Sequence, residues 1–139
     1  KVNIVGANPP DSIKSLANNK NVFVSGFVDD VRPHLAKSSL LMVPLNVAAG
    51  FRGRVVDVMS MQIPVVGTSK ALNCVGITTG VEGFISDKDS ELARHTISLL
   101  TDNSLRVKMG EASLKFVKEN LSIEATYGRL SEYYGNIEV

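Results

Sequence analysis

Two arginines one residue apart, Arg52 and Arg54, stand among Gly50 and Gly53 where a helix is expected to begin, and an acid, Asp57, follows them. These residue types in this order suit an anion that presents several phosphate oxygens. A helix N-terminus offers unpaired backbone N–H groups and about half a positive charge. Glycines let a ligand come close to the backbone, and guanidinium forks match phosphate oxygens. Asp57, expected in the first turn one turn after Arg54, can accept hydrogen bonds from ribose hydroxyls. The segment therefore offers a grip for a diphosphate followed by a contact for a sugar diol. A plainer account fits equally well at this level, with both arginines solvated and Asp57 merely complementing the helix dipole.

The elements that must position these residues follow from apolar runs and their breakers. Val2 to Val5 is a β-branched run stopped by Gly6, and Pro9-Pro10-Asp11 opens a helical stretch through Ala17. Val22 to Val24 is a second strand, broken by Gly26. Asp29 is expected to cap a helix whose apolar face is Val31, Leu35 and Ala36. Leu40 to Val43 lacks polar alternation, as a strand buried on both faces of a parallel sheet does. A loop of small residues, Asn46 to Gly50, leads to a helix over Arg54 to Met61, and Pro64 to Gly67 is the fourth strand. Gly83 to Ile85 is a fifth. Asp87 and Asp89 then lead into a helix with Leu92, Thr96, Leu99 and Leu100 on one face. Asp102 to Asn120 and Ser122 to Tyr134 read as two further helices, the last opened by Ser122.

Strands alternating with helices imply right-handed crossovers and an α/β fold, a Rossmann-like doubly wound parallel sheet with its ligand at the carboxyl ends of the strands. With 139 residues and 44% hydrophobic residues, one domain spanning 1–139 is the expectation. Charge is balanced at 15 basic against 14 acidic residues, so no sequence-wide basic field would draw in nucleic acid, and any anion site has to be local. The single cysteine, Cys74, suits a reducing, cytoplasmic setting. No apolar run reaches the roughly 20 residues of a membrane span. Lys1 opens almost directly into a strand with no Met and no leader, which reads as a piece of a longer protein.

Other residues offer weaker signals for chemistry. Asp29, Asp30, Asp57 and Lys70 invite comparison with a phospho-receiver pocket, but Asp57 falls inside a predicted helix instead of directly after a strand. Gly6-Ala7-Asn8 is not the glycine pattern of a dinucleotide site. His34 and His95 lack a carboxylate or nucleophile at helical spacing and read as surface or structural. Cys74 reads as a small buried thiol, and Met59 and Met61 as helix core. Tyr127, Tyr133 and Tyr134, with Leu121 and Leu130, give the last helix an apolar face.

The run Gly50-Phe51-Arg52-Gly53-Arg54-Val55-Val56-Asp57-Val58-Met59, followed by Ile63-Pro64-Val65-Val66-Gly67-Thr68, resembles the donor-site motif of glycosyltransferase family 4 and its relatives. There a glycine loop, a basic residue, a helix with Glu-Ala-Met and a Pro-Val-Val strand follow in that order. Val2 to Gly6, Gly26-Phe27-Val28-Asp29-Asp30 and Gly80 to Phe84 resemble flanking pieces of the same family, so the likeness runs to about Lys118. It implies the C-terminal, donor-binding half of a GT-B architecture, without the strand and helix that usually come first. It further implies that Arg52 and Arg54 hold and stabilise the leaving diphosphate, and that Gly50 and Phe51 belong to the donor site. Asp57 stands for the family's ribose-binding Glu, and backbone groups near Phe27 and Val28 would touch the nucleobase. No metal or permanent cofactor is implied.

Besides lacking that first strand and helix, which usually carry a phosphate-gripping basic pair, this chain departs from the family pattern at three residues. Ala49 stands where a first Glu is frequent, as it also does not occur in a branch with a Gly-Gly-x-Arg-x-Lys loop. Asp57 is one methylene shorter than Glu, and Gln62 replaces a small residue. The resemblance implies a nucleoside-diphosphate sugar donor, a saccharide or lipid-linked acceptor, and an N-terminal domain of the same enzyme without which this half is inactive. A cytoplasmic enzyme, peripheral at a membrane when full length, is the corresponding location. The rival expectations are a non-enzymatic nucleotide or phosphate binding module and a nucleotide-sugar epimerase of the same two-domain fold.

Overall fold

The computed structural model describes residues 1–47 and 49–135. Contacts within the chain divide it into two compact units, Lys1–Lys37 and Ser38–Val139. In the first unit, β1 (Val2–Ile4) runs parallel to β2 (Val22–Val24), with Val2 opposite Val22 and Ile4 opposite Val24. The crossover between them is α1 (Asp11–Lys14) continued by a 3-10 turn, Ser15–Asn18. Pro10 precedes α1 and loses nothing there, because the first amides of a helix have no internal partner. The second helix, α2, is Arg32–Ala36. The residue that braces its start is Asp30, whose Oδ1 accepts from the Arg32 amide and from Arg32 Nε, each at 2.9 Å. The expected cap, Asp29, is one residue too early to reach these donors. His34 is structural, with Nδ1 3.1 Å from Asn3 Nδ2 of β1.

The second unit is a three-stranded parallel sheet in the order β3 (Leu41–Val43), β4 (Val65–Gly67), β5 (Gly83–Ile85). Helices α3 (Gly53–Ser60) and α4 (Ser69–Leu72) each follow a strand. After β5 come α5 (Asp89–Thr101), α6 (Asn103–Asn120) and α7 (Ile123–Gly135). The strand with no polar alternation and full burial is β4, the middle one, where Val65, Val66 and Gly67 are all buried. The expectation of two-sided burial for β3 does not hold, since β3 pairs with one neighbour in this sheet and Met42 is 42% exposed.

Val66 of β4 packs with Leu92 and Leu99 of α5 and Met109 of α6, with Leu40, Phe84 and Leu105 against them. On α3, Val55, Val58 and Met59 are buried. Each such side chain contributes about 1.5–3 kcal/mol relative to an exposed one, so α3 is fixed by three anchors along one stripe. Met61 and Leu100 are more exposed than their expected core positions, at 36% and 55%. Met61 lies just past the end of α3, and Leu100 sits one residue round α5 from the buried Leu99. Asp102 caps α6 by accepting from the Leu105 amide at 2.9 Å, and Ser122 Oγ accepts from the Ala125 amide at the start of α7.

Glycine decides one packing contact. A Cβ on Gly110 of α6 would overlap the main-chain carbonyl of Gln62, so only glycine lets α6 approach the corner between α3 and β4. Gln62 itself sits at φ 59, a left-handed conformation that a non-glycine residue adopts at some cost. That corner therefore stores strain and is held by the helix lying over it.

Candidate functional site

The carboxyl edge of the β3-β4-β5 sheet is where the chain leaves each strand for a helix, and there the crossovers expose backbone N–H groups. After β3 the chain passes through Gly50, at φ 75, which the left-handed region favours for glycine. Arg52 then forms the N-cap of α3, and its carbonyl accepts from the Val55 amide at 3.0 Å. No side chain among the described residues caps α3. Its first amides are left for an external acceptor, and the dipole favours an anion at that end.

The structure places the sequence-predicted residues unevenly round this helix start. Arg52 is half-buried, and its Nε is a buried donor with no hydrogen-bond partner among the described residues. Arg54 is exposed, with Nη1 3.6 Å from Asp57 Oδ2. Asp57 is the fifth residue of α3 and not in its first turn, because the helix begins at Gly53, one residue earlier than expected. Its carboxylate is exposed and shared with Arg54, a weak surface pair that a stronger ligand can displace. Gly50 and Phe51 are exposed, Phe51 at 58%. Phe27 and Val28 belong to the first unit, in the stretch after β2 and Gly26; Phe27 is exposed and Val28 half-buried.

The sequence did not single out a hydrogen-bonded rim beside these residues. Thr68, directly after β4, is buried, and its hydroxyl donates to the Leu45 carbonyl in the loop after β3 at 2.6 Å. Ser69 donates from its amide and its hydroxyl to the two carboxylate oxygens of Asp87, at 2.8 and 2.7 Å. The Ser69 hydroxyl, then its amide, and also the charge of Lys70 hold the Asp87 carboxyl below its ordinary 3.8. Ser86 donates to Glu91, 2.7 Å away, and Lys88 pairs with the same carboxylate at 3.1 Å. The signal for this rim was a Thr-Ser pair immediately after a strand-ending glycine, with an Asp closing the next strand.

The remaining titratable candidates are structural. His95 stacks on Phe84 of β5 with ring centroids 4.1 Å apart, and burial followed by the charge of Arg94 lowers its pKa from the ordinary 6.5. Cys74 is exposed, contrary to the buried thiol expected, because it follows the end of the four-residue α4. The described residues hold no group of three or more His, Cys, Asp or Glu side chains arranged for a metal, and no helix long and apolar enough to cross a membrane.

The fold matches the Anabaena protein HepE solved in complex with UDP, at TM-score 0.81 and 18% identity over 97% of this chain and 40% of HepE. A variant of TarM from S. aureus, solved with Fondaparinux, alpha-GlcNAc-glycerol and UDP, matches at TM-score 0.78 and 19% identity, over 97% of this chain and 28% of that one. Sucrose-phosphate synthase from Thermosynechococcus elongatus matches at TM-score 0.78 and 17% identity, over 96% of this chain and 37% of that one. The chain thus spans 40% of the length of HepE and less of the other two. Among curated proteins nothing matches it. The parallel sheets flanked by helices are those of GT-B glycosyltransferases. Residues 1–102 match the family described as Glycosyl transferases group 1, and the chain belongs to that family.

Proposed function

We propose that this chain binds the donor for a hexosyltransferase, a nucleoside-diphosphate sugar, through the segment Gly50 to Asp57. The observation that carries the reading is the unpartnered, buried Nε of Arg52 at the uncapped start of α3. A buried donor without an acceptor costs about 1–3 kcal/mol, and a phosphate oxygen would satisfy it. The α3 amides would take further oxygens, and Arg54, released from Asp57, would close on the diphosphate. Gly50 leaves room for the ligand, since a Cβ there would meet nothing within 4 Å. Phe51 would flank the sugar phosphate, and Asp57 would accept from the ribose.

Glycosyl transfer separates an oxocarbenium-like sugar from a diphosphate whose charge grows as the bond breaks. Fixed positive charge at the diphosphate therefore stabilises the transition state more than the ground state. On this reading Arg52 and Arg54 take the part a divalent ion plays elsewhere, so the transfer needs no metal. The acceptor, a saccharide or a lipid-linked one, and any general base would come from an N-terminal domain, and this half alone would be inactive. On this reading the reaction is cytoplasmic, a setting that the single cysteine suits, and lies at a membrane surface when the acceptor is a lipid.

UDP is bound by HepE and serves as the probe. Calorimetric titration of the chain with UDP should show binding that Arg54→Ala weakens. Absence of binding, or an Arg54→Ala chain that binds equally well, would remove the assignment.

A further inference from the structure

We infer that Thr68 is a positioning residue for the donor loop, which rests on the reading above. The loop from Pro44 to Phe51 has to hold Gly50 and the start of α3 in one geometry for a diphosphate to meet Arg52 and the helix amides together. Little among the described residues of the loop can do this. Leu45 is 38% exposed, Val47 is 89% exposed, and Phe51 is 58% exposed, so apolar packing does not pin it. Thr68 reaches it from the neighbouring strand: its hydroxyl donates to the Leu45 carbonyl at 2.6 Å, and its amide donates to the Val43 carbonyl at 3.3 Å.

Thr68 is itself 5% exposed and cannot swing away to another partner. It caps the position from which α4 starts, and its carbonyl accepts from the Ala71 and Leu72 amides, both of them fully buried residues. The next residue, Ser69, is bound through both its amide and its hydroxyl to Asp87 after β5. The turn after β4 is thereby fixed to the turn after β5 on one side and to the donor loop on the other. The Thr68 hydroxyl is the link between the rigid part of this rim and the otherwise loosely packed loop. Preorganisation of that kind keeps a binding loop from losing affinity to the cost of ordering it.

The test compares Thr68→Val, which keeps the shape and removes the hydroxyl, with Thr68→Ser, which keeps the hydroxyl. Amide hydrogen exchange is read at Asn46, Val47, Ala49 and Gly50, and UDP affinity by calorimetry, on chains shown by circular dichroism to be folded. Thr68→Val should speed exchange at these amides and weaken UDP binding about fivefold, the loss expected for one net hydrogen bond. Thr68→Ser should restore both. Exchange unchanged in Thr68→Val overturns the inference whatever the nucleotide does, and faster exchange with unchanged UDP affinity overturns the positioning role. A wild-type chain that ignores UDP while Thr68→Val loosens the loop removes the donor-site reading and leaves the tether in place.

Discussion

Replacing Arg52 by Met should move stability and ligand binding in opposite directions. Methionine keeps an unbranched side chain able to fill the half-buried slot and removes every donor. In the free chain the Nε of Arg52 is buried and has no partner among the described residues. A donor in that state costs about 1–3 kcal/mol, and because the side chain is only partly buried the lower end applies, about 1 kcal/mol. Relief of that cost should raise the unfolding midpoint by about 3 °C for a chain of this size. With UDP present, the lost charge-assisted hydrogen bond is worth about 1.5–3 kcal/mol, which is roughly a 10- to 150-fold loss of affinity. Thermal unfolding followed by circular dichroism gives the first quantity, and calorimetric titration gives the second. A midpoint that falls in Arg52→Met, together with UDP affinity that is kept, would show that Arg52 holds the fold and not the ligand.

Gly110→Ala should destabilise the chain by about 1–3 kcal/mol, since the new methyl meets the main-chain carbonyl of Gln62, which cannot rotate aside. Gly128→Ala in α7, where a Cβ meets nothing within 4 Å, is the control and should hold or gain about 0.4–1 kcal/mol; urea melts of both variants decide this. Asp87 has its pKa lowered from 3.8 on folding, so it contributes stability above that value that is lost as pH falls through the folded pKa; Asp87→Asn should flatten the acid side of the stability profile there. His95 is held neutral below its ordinary 6.5, so the unfolded chain takes up the proton first and stability erodes as pH falls below 6.5, a step that His95→Phe should remove from denaturation curves taken at successive pH values.

The strands were legible in the sequence where a glycine lay at or near one end of a short apolar run, as in Val22–Val24 and Gly83–Ile85, whose bounds match. The β-branched runs have few alternatives once breakers flank them. Burial was harder to read. Leu40 to Val43 and Pro64 to Gly67 are equally apolar, and only the strand order makes the second the fully buried one. Helix α4 left no periodic signal because four residues make barely one turn. The same short turn brought Cys74 to the surface.

At the site, residue types were legible and their states were not. The sequence placed Arg52, Arg54 and Asp57 at one helix start; the structure keeps Arg52 and Arg54 there and puts Asp57 beyond the first turn. It could not distinguish Arg52, with a buried and unsatisfied nitrogen, from the exposed Arg54, since two neighbouring arginines look alike until the helix phase is fixed. That Asp57 lies beside Arg54 was legible, since residues three apart share a helix face. The tether from Thr68 joins two loops 23 residues apart, a relation that local patterns do not carry.

The most direct test of the donor-site claim is a map of amide chemical shifts during titration of the chain with UDP. Binding as proposed predicts saturable shifts concentrated at Gly50, Phe51, Gly53, Arg54 and Asp57, with the Gly53 and Arg54 amides moving furthest as they donate to phosphate oxygens. A spectrum that does not change at millimolar UDP, or one whose shifts avoid the start of α3, would contradict the account.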